Sequence, residues 1–140
     1  MGCDTHPRPQ KLVNQKWVDV RVEDFWDMRQ HSTFGFLAGV RNYSGVTPIA
    51  EQRGLPEDFQ GDEPGEHSFS WLSTQELLEF NYDQPMEDRR VTVGNDGGCT
   101  AEPGGGKMTT YREFLGEYFF ESLERAQEAG VQRIVFGFDS

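Results

Sequence analysis

The chain has 140 residues, enough for one ordinary domain with a real core, and its 13 basic against 24 acidic residues give a net charge of −11. That charge is repelled by long nucleic acid and by anionic membrane, no apolar run approaches the ~18 residues that span a bilayer, and no basic-then-apolar leader marks export. Hydrophobic residues make up only 35%, but 11 Phe, 4 Tyr and 3 Trp supply large buried areas. In a cytoplasmic chain the two cysteines, Cys3 and Cys99, are expected to stay reduced.

After "MGCDTH" come Pro7 and Pro9, then "KLVNQKWVDVRV". Val18, Val20 and Val22 alternate with polar neighbours as in a strand, and Leu12-Val13 before Asn14-Gln15 makes a hairpin with weak turn chemistry. "STFGFLAGV" reads as a short buried helix capped by Ser32. Residues 41–66, rich in proline and glycine, read as a long structured loop. "HSFSWL" leads into Ser73 and Glu76, a capping box that starts a helix through about Phe80. Residues 94–107, "GNDGGCTAEPGGGK", read as a flexible excursion. Thr110 with Glu113 forms a second box, and Tyr111, Phe114, Leu115, Tyr118, Phe119, Leu123 and Ala126 repeat at helical spacing up to Gly130. "VQRIVFGF" is a closing strand, best paired with the first. The expected fold is a single α+β domain over 1–140, a small mixed β-sheet packed by one long C-terminal helix and shorter helices.

Asp4 and His6 are two apart, so on a strand both project from one face, a pairing suited to metal binding or acid–base work. His67 and Asp139 are the natural partners for such a site, with a polar anchor for the first strand as the plainer reading. Cys3 points to the opposite face and is expected in the core. "EHSFSWL" offers His67, Ser68 and Trp71 as pocket-lining groups, against the alternative that the aromatics simply fill the core. "GGGKM" fails the phosphate-loop pattern at Ala101 and Met108. From Met28 to Ala50 there is no acidic residue, while Arg29 and Arg41 are present and Arg53 lies just beyond. Arginines gathered in loops suit bidentate recognition of phosphate or carboxylate.

Small proteins encoded by many bacteriophages, and by some bacterial genomes, begin Met-Gly-Cys-Asp-Ile-His. They continue through an Ala-Gly-Val-Arg helix end, a Pro-Arg-Gly-Leu-Pro loop and an Asp-x-His-Ser-x-Ser-Trp-Leu segment to a closing Phe-Asp pair. This chain resembles that family in "MGCDTH", "AGVRN", "EQRGLPED", "EHSFSWLSTQELL" and "RIVFGFDS", in the same order over most of its length; it departs from it at Thr5, Pro7, Pro9 and Glu66, and "RQHSTFGF" replaces the family's Arg-Asn-Tyr segment. The resemblance implies a phage origin more than a mechanism, and small phage proteins of this kind often act against host defence. The expectation is a non-catalytic, homo-oligomeric, cofactor-free binding protein of the host bacterial cytoplasm that sequesters a small anionic ligand such as a signalling nucleotide. Arg41 and Arg53 would contact phosphate, and His67, Ser68 and Trp71 would shape the pocket. The alternative is a metal-dependent hydrolase or phosphodiesterase using Asp4, His6, His67 and Asp139 with a divalent ion. A third reading is an acidic inhibitor directed at a host enzyme.

Overall fold

A computed structural model describes residues 3–27, 29–93, 98–101 and 106–139. The elements in chain order are β1 (Thr5–Val13), β2 (Lys16–Asp19), α1 (His31–Ala38), β3 (His67–Ser73), α2 (Thr74–Glu79), β4 (Pro85–Asp88), β5 (Arg90–Val93), β6 (Gly98–Ala101), β7 (Lys107–Thr110), α3 (Tyr111–Leu115), α4 (Glu117–Glu128) and β8 (Arg133–Phe138). The chain adopts the expected α+β class. It divides into two compact units, one of residues Met1–Arg29, Gln52–Phe80 and Tyr118–Ser140, the other of Gln30–Glu51 and Asn81–Glu117. No helix among the described residues is long and apolar enough to cross a membrane.

The first unit is built on a four-stranded sheet in the order β2-β1-β8-β3. The closing strand does pair with the first, Thr5 opposite Phe138 and Gln10 opposite Arg133. The sheet was expected to be mixed, yet every pairing among the described residues is antiparallel. The reason is order: β1 and β3 run in the same sense, and β8 lies between them in the opposite one. β1 also passes unbroken through Pro7 and Pro9. Even-numbered residues of β1 turn their backbone groups to β8, as the bonds from Gln132 N to Gln10 O (2.8 Å) and from Asp139 N to Asp4 O (3.1 Å) show, while Pro9 O faces the other way and accepts from Val20 N (2.7 Å). Both prolines are odd-numbered, so their missing N–H groups cost the β1–β8 ladder nothing.

Side-chain alternation gives this sheet two unlike faces. Thr5, Ile134, Phe136, Phe138, Ser70 and Leu72 share one face, and all of them are buried. Trp26 links this face to α4: its ring lies 5.9 Å from Phe136 and 6.4 Å from Phe119, and α4 buries Phe119, Ser122, Leu123 and Ala126. Cys3 is buried here as expected, while the side chain of Cys99 lies outside the described ones. The opposite face carries Arg8, Gln10, Trp17, Asp19, Arg133, Val135, Trp71 and Ser73. Part of the 41–66 segment straps across the sheet, and Gly137 permits it, since a Cβ there would stand 2.1 Å from Pro64 O.

In the second unit β4 pairs with β7 and β5 with β6. Phe36 packs its ring against Tyr82 (5.8 Å) and Tyr111 (5.7 Å). Helix α1 starts at His31, one residue before the expected Ser32 cap. Gln30 is its N-cap without a side-chain bond, and Ser32 is buried inside the first turn. Gly39 closes it in the left-handed region. The segment that follows is pinned by Asn42, whose Nδ2 donates to Val46 O (2.7 Å) and whose Oδ1 accepts from Val46 N (3.0 Å).

Two further expectations are corrected. The single helix from Tyr111 to Ala126 is two helices, because Gly116 takes φ 82° and ψ 170° and ends α3. Apolar spacing alone carries straight across that break. Within the stretch 94–107, residues Gly98–Ala101 form β6 opposite β5; the parts at 94–97 and 102–105 lie outside the described residues. The boxes differ as well. Ser73 and Glu76 make both bonds of a capping box, whereas Thr110 caps Glu113 N at 3.2 Å and the Glu113 carboxylate accepts from Thr109 Oγ1.

Candidate functional site

The polar face of the four-stranded sheet holds one continuous network. The turn at Asn14 and Gln15, with φ of 50° and 66°, sets Trp17 opposite Leu12 and Asp19 opposite Gln10. Gln10 in turn lies opposite Arg133, which is buried to 6% exposure. Arg133 Nε donates to Gln10 Oε1 at 2.9 Å, and Nη1 donates to Asp58 Oδ1 at 2.9 Å. The second oxygen of Asp58 accepts from Trp17 Nε1 at 2.8 Å, and the Trp17 ring lies 3.8 Å from the guanidinium carbon of Arg133. Gln10 Nε2 donates to Asp19 Oδ1 at 3.0 Å, and Arg8 reaches Asp19 Oδ2 through Nη2 at 2.8 Å. Arg133 Nη2 is buried and has no partner among the described residues. An unsatisfied buried donor on a cation costs more than a neutral one, so this group calls for an acceptor.

Beside this network Arg53 stacks on Trp71, 4.7 Å from the ring centre. Its Nη1 donates to Trp71 O (3.0 Å) and Glu76 Oε1 (2.8 Å), and its Nη2 to Glu76 Oε2 (2.5 Å). The Arg53 guanidinium holds Glu76 down to about 2, with help from the Ser73 backbone and against the desolvation that would raise it. Asp58 is held below the usual carboxylate range by Arg133. Burial works to raise Asp19, but the bonds from Gln10 and Arg8 outweigh it and leave the group lowered. Trp17, Arg53, Trp71 and Arg133 line an open groove of about 560 Å³, with Glu57 and Asp58 on its rim. A second groove of about 290 Å³ adjoins it on the other side of Trp17 and Asp58, bordered by Arg8, Gln10 and Asp19. The larger volume falls within the roughly 300–1,000 Å³ usual for small-molecule sites.

The residues singled out in the sequence are distributed as follows. Arg53 and Trp71 meet in the groove. His67 and Ser68 lie at the other end of β3, outside it. His67 Nδ1 contacts Ser68 Oγ at 2.8 Å, its ring stacks on Phe138 at 6.3 Å, and Ser68, at φ 58°, sits where the β3–β8 register shifts. Arg41 belongs to the second unit, half-buried at φ 51°, and adds to the burial that lowers His31. Asp4, His6 and Asp139 do come together. His6 Nε2 lies 2.6 Å from Asp139 Oδ2, Asp4 N donates to Asp139 Oδ1 at 3.0 Å, and Arg29 grips Asp4 through Nε at 2.7 Å and Nη2 at 3.2 Å. Arg29 lowers Asp4, and His6 with the Asp4 amide lowers Asp139. No group of three or more His, Cys, Asp or Glu side chains among the described residues is placed to hold a metal ion. This cluster ties the start of β1 to the end of β8 by charge and hydrogen bonding.

Trp17, Asp58 and Arg133 were missed in the sequence, although Arg133 carried a signal. It is the one charged residue inside an otherwise apolar closing strand, and a buried arginine must find acceptors. No protein-family model, curated protein or solved structure matches the chain.

Proposed function

We propose that the chain is a non-catalytic binding protein that captures a small anionic ligand with a planar ring, a nucleotide in chemical class, in the groove between Trp17 and Trp71. The observation that carries this is the pair of half-buried indoles, Trp17 beside Arg133 and Trp71 beside Arg53, lining one groove of about 560 Å³. Stacking of a base on an indole contributes about 1–3 kcal/mol. Arg53 orients Trp71 and does not act as a free phosphate clamp, because Glu76 already occupies it. Sequestration of a host signalling nucleotide, the setting implied by the family resemblance, belongs to the same proposal.

The competing reading is metal-dependent hydrolysis at Asp4, His6, His67 and Asp139. Arg29 on Asp4 weighs against it, since a carboxylate already paired twice is a poor ligand or base. The fate of the ligand separates the two. Protein incubated with nucleotides is freed of unbound material and heat-denatured, and the released compound is analysed. Intact nucleotide retained by the protein supports capture, a cleaved product in the retained or the unbound fraction supports the enzyme, and the absence of both uptake and cleavage overturns the two readings in favour of a protein-directed role.

A further inference from the structure

The four-stranded sheet of the first unit ends in two edges that differ in how they are covered. At β3 the strap closes the outer side: Gly54 N donates to Phe69 O at 3.0 Å, and Arg53 Nη1 donates to Trp71 O at 3.0 Å. At β2, Val20 N donates inward to Pro9 O, so by alternation Lys16 and Val18 also turn their backbone groups to β1, and Trp17 and Asp19 turn theirs outward. Among the described residues, no hydrogen bond reaches the outward N–H and C=O groups of Trp17 and Asp19. Such a row of unpaired groups is a template for another strand. Of the large apolar side chains exposed among the described residues, Leu12, Val13, Val18, Leu78 and Met108, three sit on this one hairpin. Single exposed apolar side chains are ordinary, but a cluster beside an open edge marks an interaction surface. Residues 8–21 also hold Arg8, Lys11, Lys16 and Arg21 against Asp19 alone, in a chain of net charge −11, so the approach of an acidic second copy to this edge is favoured.

We infer that β2 pairs antiparallel with β2 of a second copy about a two-fold axis through Val18, joining two four-stranded sheets into one of eight. The strand is self-complementary in only this register. An axis that relates two antiparallel edges stands perpendicular to the sheet, so it passes through a residue and keeps each face on its own side. Centred on Val18, it sets Trp17 opposite Asp19 of the second copy and Asp19 opposite its Trp17, and every outward backbone group finds a partner. Centred on Trp17, it would leave Asp19 facing Gln15, which stands in the turn at φ 66°. Centred on Asp19, it would set two carboxylates against each other. The backbone groups of Val18 point to β1, so the facing valines form a non-hydrogen-bonded pair with Cα atoms about 4.5 Å apart, and each covers the other's exposed side chain. The two Lys16 positions fall about 14 Å apart along the strands, beyond the ~8 Å Debye length at physiological salt. Both copies keep their grooves on one face of the joined sheet, and the pairing holds whatever those grooves take.

The test is sedimentation equilibrium of the full chain from micromolar to sub-millimolar concentration, joined to disulfide trapping. The wild type is expected to sediment as a dimer at the upper end of that range. Val18→Lys sets two ammonium groups against each other at the axis and is expected to weaken the dimer about tenfold or more. Its melting temperature should stay close to wild type at concentrations where both are monomeric, since Val18 is 38% exposed in the single chain. In a chain with Cys99→Ser, oxidised Val18→Cys is expected to give a covalent dimer, because its facing Cα atoms fall within the roughly 4.4–6.8 Å that a disulfide spans. Lys16→Cys in the same chain is expected to stay monomeric on a denaturing gel. A wild type that remains a monomer throughout, a dimer that folded Val18→Lys leaves intact, or a Lys16→Cys cross-link as efficient as that of Val18→Cys overturns the inference. Should Val18→Lys fail to fold, the pair of cysteine variants decides.

Discussion

Glu76→Gln probes a carboxylate of the first unit that accepts from both Arg53 and the Ser73 backbone. Glu76 is the third residue of α2, where its Oε1 accepts from Ser73 N at 2.9 Å, and both its oxygens receive Arg53. In the folded chain it protonates only at about 2, against 4.5 for the free group. Between those values the unfolded chain binds the extra proton, so the stabilisation is complete above about pH 4.5 and is lost as the pH falls towards about 2. The whole difference corresponds to about 3 kcal/mol at about 1.36 kcal/mol per pH unit. The Glu76 side chain is 37% exposed, and solvent screening of such a pair brings this down to about 1–2 kcal/mol. Glutamine keeps the shape and an oxygen for the Ser73 amide but removes the charge. Urea denaturation of wild type and Glu76→Gln, in matched buffers from neutral pH down through the carboxylate range, should show a deficit of about 1–2 kcal/mol at neutral pH that shrinks as the buffer is acidified. A deficit independent of pH, or one below about 0.3 kcal/mol at neutral pH, would refute the reasoning.

Phe119 is fully buried against Trp26, so Phe119→Ala should cost about 3–5 kcal/mol in the same assay; a loss below about 1 kcal/mol would mean the α4 face does not hold the core together. Gln15 bears a left-handed φ of 66° that favours glycine, and Gln15→Gly should raise stability by about 1 kcal/mol. His6→Ala and Asp139→Asn should each lower the melting temperature, and the double variant should fall little further than either single one, because the two side chains share one contact. Equal and additive losses would show that each acts through other partners.

The elements readable from the sequence are those whose cause is local. Ser73 and Glu76 are three residues apart, and their box forms as the spacing requires. Asn14-Gln15 after the apolar pair Leu12-Val13 gives a hairpin, and the apolar run near the C-terminus gives a buried strand. Where local signals compete, pattern misleads. The helical repeat from Tyr111 to Ala126 is real on both sides of Gly116, but periodicity carries no record of the φ that a single glycine adopts. The stretch 94–107 reads as loop by composition, and β6 forms there because a partner strand supplies what its glycines lack.

By itself the sequence determined the α+β class, the two capping residues Ser73 and Thr110, the pairing of first and last strands, and the meeting of Asp4, His6 and Asp139 that follows from that pairing. Only the tertiary structure decided the groove. Gln10, Asp58 and Arg133 come from three distant stretches of chain, separated by 123 positions in one bond and 75 in the other. Periodicity and capping act over a few residues. The acceptor a buried arginine finds, and the donor it is left holding, depend on sheet register and on where a long strap crosses, and those are settled by packing.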